Sequence, residues 1–195
     1  MSRQLGSWML TATGKKFWPL DPDPADVDLR DIAHALSLLC RFNGHVPFHY
    51  SVAQHSVLCA DVAAHHSYAK YPGFVLSVLL HDAHEAYLAD VPRPVKPYTF
   101  IAPDQQNIDR YSVWAKRVQE AILQAVGLDP AQVARWAHEI KRIDNQVLAS
   151  EGVALMRADI SEWNLLEEPI RGLIIMQMEP ETAERLYLKR AQELL

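Results

Sequence analysis

The stretch Phe74–Leu80, FVLSVLL, is apolar at every position but Ser77 and runs straight into the adjacent pair His81-Asp82. It is far short of the roughly 20 residues that a membrane span needs. A helix that is apolar nearly all round must be covered by other elements on every side. This segment, read as a helix from Phe74 to about Leu88, is therefore expected to be the buried centre around which the rest packs. Its more polar end delivers His81, Asp82 and Glu85.

Helical periodicity dominates the remainder. A first helix begins near residue 29, with Asp28 as N-cap, Asp31 in the first turn and Ile32, Ala35, Leu36 and Leu39 as its apolar stripe. A second, Ser51 to about His66, sets Val52, His55, Ser56, Cys59 and Val62 on one face, so His55 points inward. The fourth covers roughly Gln106 to Val126 and stops at Gly127. The fifth starts at Asp129-Pro130 and reaches about Met156, with Val133, Trp136, Ile140, Ile143, Val147 and Leu148 inward and Asp144 at the same angle. A last helix runs from Pro180, after an irregular Trp163–Met178. Between them, Trp8–Leu20 reads as a hairpin or irregular arm around Thr13-Gly14, and Asp21–Leu29 as a loop. The proline-rich Asp90–Pro103 is a loop that brings Arg93 and Lys96 near the end of the third helix. The expectation is an all-α protein, one domain over residues 1–195, with a short N-terminal arm.

Composition narrows the function. A chain of 195 residues that is 49% hydrophobic can bury one substantial core. Its 24 acidic and 19 basic residues are interspersed, so no basic face awaits a nucleic-acid duplex, and any nucleotide-like ligand is small. Cys40 and Cys59 lie in apolar helical stretches without CxxC spacing and read as reduced core thiols. The segment MSRQLGSWML has neither a long apolar run nor a cleavage site for secretion. A cytoplasmic protein without a membrane span is expected.

His55, His81, Asp82 and Asp144 come from three helices and sit on or beside apolar faces. Taken singly, each could be a core residue bonded to backbone, a cap or an ion-pair partner. Together they place two carboxylates and two imidazoles inside, and a buried carboxylate costs several kcal/mol unless it is paired or metal-bound. One divalent cation serves all four, and this donor set suits zinc, manganese, iron, cobalt or nickel without choosing among them.

The blocks SVAQHS, LLHDAHEAYLADVPRPVK and IKRIDNQVL resemble the H…HD…D signature of the HD-domain phosphohydrolase superfamily. The middle block is most similar to the bacterial 5′-deoxynucleotidase branch and its phage relatives that hydrolyse deoxynucleoside triphosphates. The likeness covers about Asp28 to Glu151. It implies a compact helical bundle with a metal held by His55, His81, Asp82 and Asp144, and a hydroxide nucleophile generated there. It implies Glu85 as general acid, with Asp82 also counted in the catalytic machinery. Arg41 would take a phosphate, and Phe42, where that branch carries Trp, would lie against sugar or base; Asp90 would contact the sugar or order the site. Lys96 could screen phosphate charge, and His45, His49 and His84 could assist. The substrate implied is a deoxyribonucleoside 5′-monophosphate, or alternatively a triphosphate with Arg93, Lys96, Arg110 and Lys116 as added cations. A nucleotide-binding module without turnover is the alternative of another class. Homo-oligomers are usual among such relatives.

Overall fold

Helices begin where the sequence supplies an acceptor for their unpaired first-turn N–H groups. The computed structural model describes residues 6–103 and 108–195. The Asp28 side chain accepts from the Arg30 N–H to open α1 (Leu29–Leu38). Ser51 and Gln54 form a reciprocal capping box at the head of α2 (Val52–Ala64), and Asp129 caps α6 (Pro130–Arg135) with proline at its first position. The remaining helices are α3 (Phe74–Leu79), α4 (Glu85–Leu88), α5 (Tyr111–Ala125), α7 (Ala137–Met156) and α8 (Pro180–Leu194). The fold is all-α.

All six residues of α3 are buried, and the helix is packed between α2 and α8. Each of its large apolar side chains contributes about 1.5–3 kcal/mol on burial, so the expected central helix is where the core lies. α8 runs along α1 and touches α2. The N-terminal arm is a hairpin, β1 (Met9–Leu10) antiparallel to β2 (Lys16–Phe17), with Met9 opposite Phe17. Thr13 ties it down by donating its N–H and hydroxyl to the two oxygens of Asp31, at 2.6 and 2.8 Å. Phe17 is buried and stacks on Tyr87. A second small ladder pairs β3 (Phe100–Ile101) with β4 (Asp109–Arg110).

Two expected helices are interrupted. The third does not continue to Leu88: Leu80–His84 is a series of turns between α3 and α4. The fifth breaks at Trp136, whose N–H bonds to Val133 only three residues back and whose ring meets Phe74 edge-on at 5.6 Å. The expected start of the fourth helix at Gln106 lies outside the described residues; the described helix starts at Tyr111. Among the described residues, no helix is long and apolar enough to cross a membrane.

Candidate metal centre

The break after α3 has an identifiable cause. A continuous helix would bond the His84 N–H to the Leu80 carbonyl. The amide of Gln119, from α5, stands in that place: its Nε2 donates to the Leu80 oxygen at 2.7 Å, and its Oε1 accepts from the His84 N–H at 3.2 Å. A side chain inserted into the helical ladder is a standard origin of a kink. The tightened turns bond three residues back, Ala83 to Leu80 and Glu85 to Asp82. Here the adjacent His81 and Asp82 are turned to one point.

His55, one turn into α2, is fully buried. Its Nε2 faces the Nε2 of His81 at 3.3 Å. Asp144 Oδ1, from α7, lies 3.2 Å from the first nitrogen and 3.8 Å from the second, while Asp82 Oδ2 lies 3.9 and 3.1 Å from them. Metal bonds of 2.0–2.2 Å at tetrahedral or octahedral angles put neighbouring donors roughly 2.8–3.6 Å apart, close to these separations. The outer nitrogens are both engaged: His55 Nδ1 with Glu151 Oε1 at 2.6 Å, and His81 Nδ1 with the Val78 carbonyl at 2.8 Å. Carboxylate and carbonyl oxygens only accept, so each Nδ1 carries a proton, and the two Nε2 lone pairs converge.

Cys59 belongs to the same cluster: donor atoms of His55, Cys59 and His81 all lie within 4.8 Å of one another, so these residues could hold a metal ion. The Cys59 sulfur is 3.5 Å from Nε2 and 3.9 Å from Nδ1 of His55. A sulfur nearly equidistant from both ring nitrogens lies beside the ring rather than ahead of the Nε2 lone pair. Asp82 and Asp144 are the better placed partners for the two imidazoles.

The electrostatics ask for positive charge. Burial opposes ionisation of Asp82 and Asp144, yet the imidazoles hold both carboxyls far below the usual range. Burial and Arg41 likewise oppose a charge on His55, and burial opposes it on His81, but the surrounding acidic groups raise both rings well above the ordinary imidazole value. Two protons cannot both occupy Nε2 atoms that face each other at 3.3 Å, whereas a cation between them would find a carboxylate oxygen of Asp82 and of Asp144 within 3.2 Å of one or the other nitrogen.

Behind His55 lies a network that the sequence reading did not contain. Glu151 has no exposed surface; its Oε1 also accepts from the Tyr50 hydroxyl at 2.8 Å, and its Oε2 from Arg41 at 2.9 Å. Arg41 is buried, with its other terminal nitrogen 3.8 Å from Asp82 Oδ2, so this guanidinium is already partnered by protein carboxylates. It is placed by the turn Arg41–Gly44, in which Phe42 and Asn43 take left-handed backbone angles. Phe42 is half-buried, with Arg41 over its ring and Trp163 at 6.4 Å. A signal for Glu151 was available: it lies seven residues after Asp144, on the same face of α7 as Asp144 and Val147.

On the other side of Asp82 stands Glu85, also buried. Burial, reinforced by Asp82 and Asp90, pushes its carboxyl up to about 9 against the pull of Lys96 and Arg41. Lys96 donates to Oε1 at 3.3 Å, and Oε2 is buried with no partner. Lys96 is thus bonded to Glu85 rather than merely solvated. Ala89 ends α4 at φ 66, ψ 158, a conformation of about 1–3 kcal/mol strain for a residue other than glycine. This turn leads to the half-buried Asp90, whose carboxyl is raised by burial.

Asp144 Oδ2 faces Lys141 at 2.6 Å and Arg93 at 3.6 Å. A cavity of about 390 Å³ opens on His81, Asp82 and Asp144, with Leu123 and Val133 in its apolar wall and Lys116 among its lining residues. His84 bonds Gln119 and is held to about 4 by burial, so it stays neutral. His49 bonds the Ser37 carbonyl, and His45 is exposed.

No protein-family model matches the chain. It is 38% identical over 92 residues to an uncharacterized protein of Rhodobacter capsulatus, 46% of this chain and 47% of that one. With the Escherichia coli K12 protein YfdR, itself uncharacterized, it shares 31% identity over 190 residues, 96% of each chain. By that near end-to-end similarity, the chain belongs to the family of YfdR.

Proposed function

We propose that this protein is a metal-dependent phosphohydrolase of the HD type, acting on deoxyribonucleoside 5′-monophosphates to give nucleoside and phosphate. The observation that carries the reading is the head-on pair of Nε2 atoms, each ring protonated on Nδ1 and each flanked by a carboxylate oxygen. His55, His81, Asp82 and Asp144 would hold one divalent cation, whose bound state supplies Lewis acidity and an acidified water.

The chain's own groups perform the rest. Arg41, fixed by Glu151 with its other nitrogen toward Asp82, meets a phosphate that approaches that carboxylate. Glu85, protonated at neutral pH, has an oxygen without a partner. As water adds to phosphorus and the bond to the 5′ oxygen breaks, the departing oxygen takes the Glu85 proton; the proton shed by the water afterwards restores the acid. Lys96 steadies the other oxygen of Glu85, and Asp90 beside it helps to keep the acid protonated. The cavity beside His81 and Asp144 offers the nucleoside an apolar wall, a volume within the ordinary range for small-molecule sites.

One observation favours a second reading. Lys116 and Lys141 line that cavity, and Arg93 lies against Asp144, cations in excess of what a monophosphate needs. They suit a triphosphate cleaved at its first phosphorus. Self-association is also proposed: Leu166, Ile174 and Met176 in the irregular segment before α8 are 94%, 81% and 71% exposed.

The test is a panel of ribo- and deoxyribonucleoside mono- and triphosphates with added Mn²⁺, read by product identity. Phosphate from deoxynucleoside monophosphates is the expected product. Triphosphate release selects the second reading, and no turnover with any nucleotide contradicts both in favour of a binding module.

A further inference from the structure

Glu151 is the most deeply enclosed acid at the centre, and in the hydrolysis proposed above its one task is to fix Arg41. It lies on α7 with no exposed surface, where an unsatisfied carboxylate would cost several kcal/mol. Its two oxygens are used differently. Oε2 accepts from Arg41 at 2.9 Å, which anchors the carboxylate; Oε1 accepts from Tyr50 at 2.8 Å and from His55 Nδ1 at 2.6 Å. His81 is supported otherwise, by the backbone carbonyl of Val78. One imidazole therefore leans on the main chain, and the other on a charged side chain that itself needs two partners to be aimed.

We propose that Glu151 is a positioning residue of the metal centre: held by Arg41 and Tyr50, it keeps the His55 proton on Nδ1 and turns the Nε2 lone pair toward the cation. This rests on the reading of His55, His81, Asp82 and Asp144 as ligands. A carboxylate accepting from the outer nitrogen fixes the tautomer and ring angle of a ligating histidine and strengthens it as a donor. Because Arg41 also approaches Asp82, the same network joins two of the ligands.

Glutamine at position 151 cannot reproduce this. With its oxygen toward Arg41, its amide N–H groups face His55 Nδ1 and demand the opposite tautomer; with its oxygen toward His55, they face the guanidinium, donor against donor.

The experiment is calorimetric titration of Mn²⁺ into the metal-stripped full chain, with melting curves of each metal-free variant to verify folding. Wild type should bind one Mn²⁺, and Glu151→Gln should bind it about 10–100-fold more weakly while remaining folded. Glu151→Asp, which keeps the charge opposite Arg41 but is too short to reach His55, should be weakened similarly. A folded Glu151→Gln with wild-type affinity overturns the proposal, as does full affinity in Glu151→Asp, which would leave charge alone as the cause. If Glu151→Gln does not fold, Tyr50→Phe decides: it keeps both charges and removes one bond to Oε1, and a severalfold weaker affinity supports the proposal where an unchanged one refutes it. Wild type that binds no Mn²⁺ overturns it by a different route, through the ligand reading itself.

Discussion

The two flanks of Asp82 differ in how their buried glutamates are bonded: both oxygens of Glu151 have partners, and one oxygen of Glu85 has none. Toward α2 and α7, both oxygens of the buried Glu151 are bonded, and it meets His55, Tyr50 and Arg41 at 2.6–2.9 Å, with Arg41 Nε the atom of this group left buried without a partner. Toward α4, Glu85 has a buried oxygen with none, Lys96 reaches it from a proline-rich loop, and Ala89 holds a strained backbone angle. A carboxylate bonded at both oxygens holds geometry, and one with an unpartnered oxygen stores a demand that a ligand can meet. On the proposed function, the contrast teaches that the centre would separate a half that holds a cation from a half kept ready to give up a proton.

The most severe way to break the contrast is to remove the residue that both halves share. Asp82→Ala should lose bound metal and turnover together, measured as metal content and product formation; an active, metal-free variant would undo the division. Glu85→Gln should strike one half only. Metal content should be unchanged, and kcat should fall by about 10²–10⁴, the usual worth of a general acid. Turnover in wild type should decline as pH rises through the Glu85 pKa, because the acid must be protonated. A bound cation offsets the charge of Asp82, which helps to raise this pKa, so the limb should lie at or below about 9 and vanish in Glu85→Gln. The same shift fixes a stability sign. Glu85 is raised above its unfolded value, so its contribution is fully present below about pH 4.5 and is lost as pH climbs toward about 9. Metal-free Glu85→Gln should therefore melt higher than wild type at pH 8, and a lower melting temperature would contradict the raised value.

Smaller effects sharpen the comparison. Gln119→Leu leaves the Leu80 carbonyl and the His84 N–H without the inserted amide, and should cost about 1–3 kcal/mol in denaturant unfolding. Mn²⁺ affinity should fall as well, because the kink that aims His81 and Asp82 would relax toward helix. Ala89→Gly should be the mildest change. It removes strain and should stabilise the metal-free protein by about 1 kcal/mol, with Mn²⁺ affinity unaltered because the strained turn lies on the other flank. A destabilised Ala89→Gly would mean that the turn stores nothing.

Much of this was legible residue by residue where the signals are local. Asp28 and Asp129 cap as their spacing indicates, and the run Phe74–Leu79, apolar but for Ser77, announces a buried centre. His55 and Asp144 point inward because helical angle alone decides it. What was not legible depends on partners distant in sequence. The interruption after Leu80 is made by Gln119, 39 residues on, and no local propensity at Leu80–His84 records it. Glu151 escaped notice because a glutamate near the end of a long helix reads as surface; only its alignment with Asp144 and Val147 hinted otherwise. Lys96 was placed near the site, but its bond to Glu85 required the path of the loop.

The central claim is that four side chains from separate parts of the chain share one cation. The direct measurement is a crystal structure grown with Mn²⁺, with anomalous difference density collected at the manganese edge. The account predicts a single strong peak within about 2.0–2.3 Å of His55 Nε2, His81 Nε2 and one oxygen each of Asp82 and Asp144. A peak bonded through Cys59 without the two carboxylates, or none between the facing imidazoles, would contradict it.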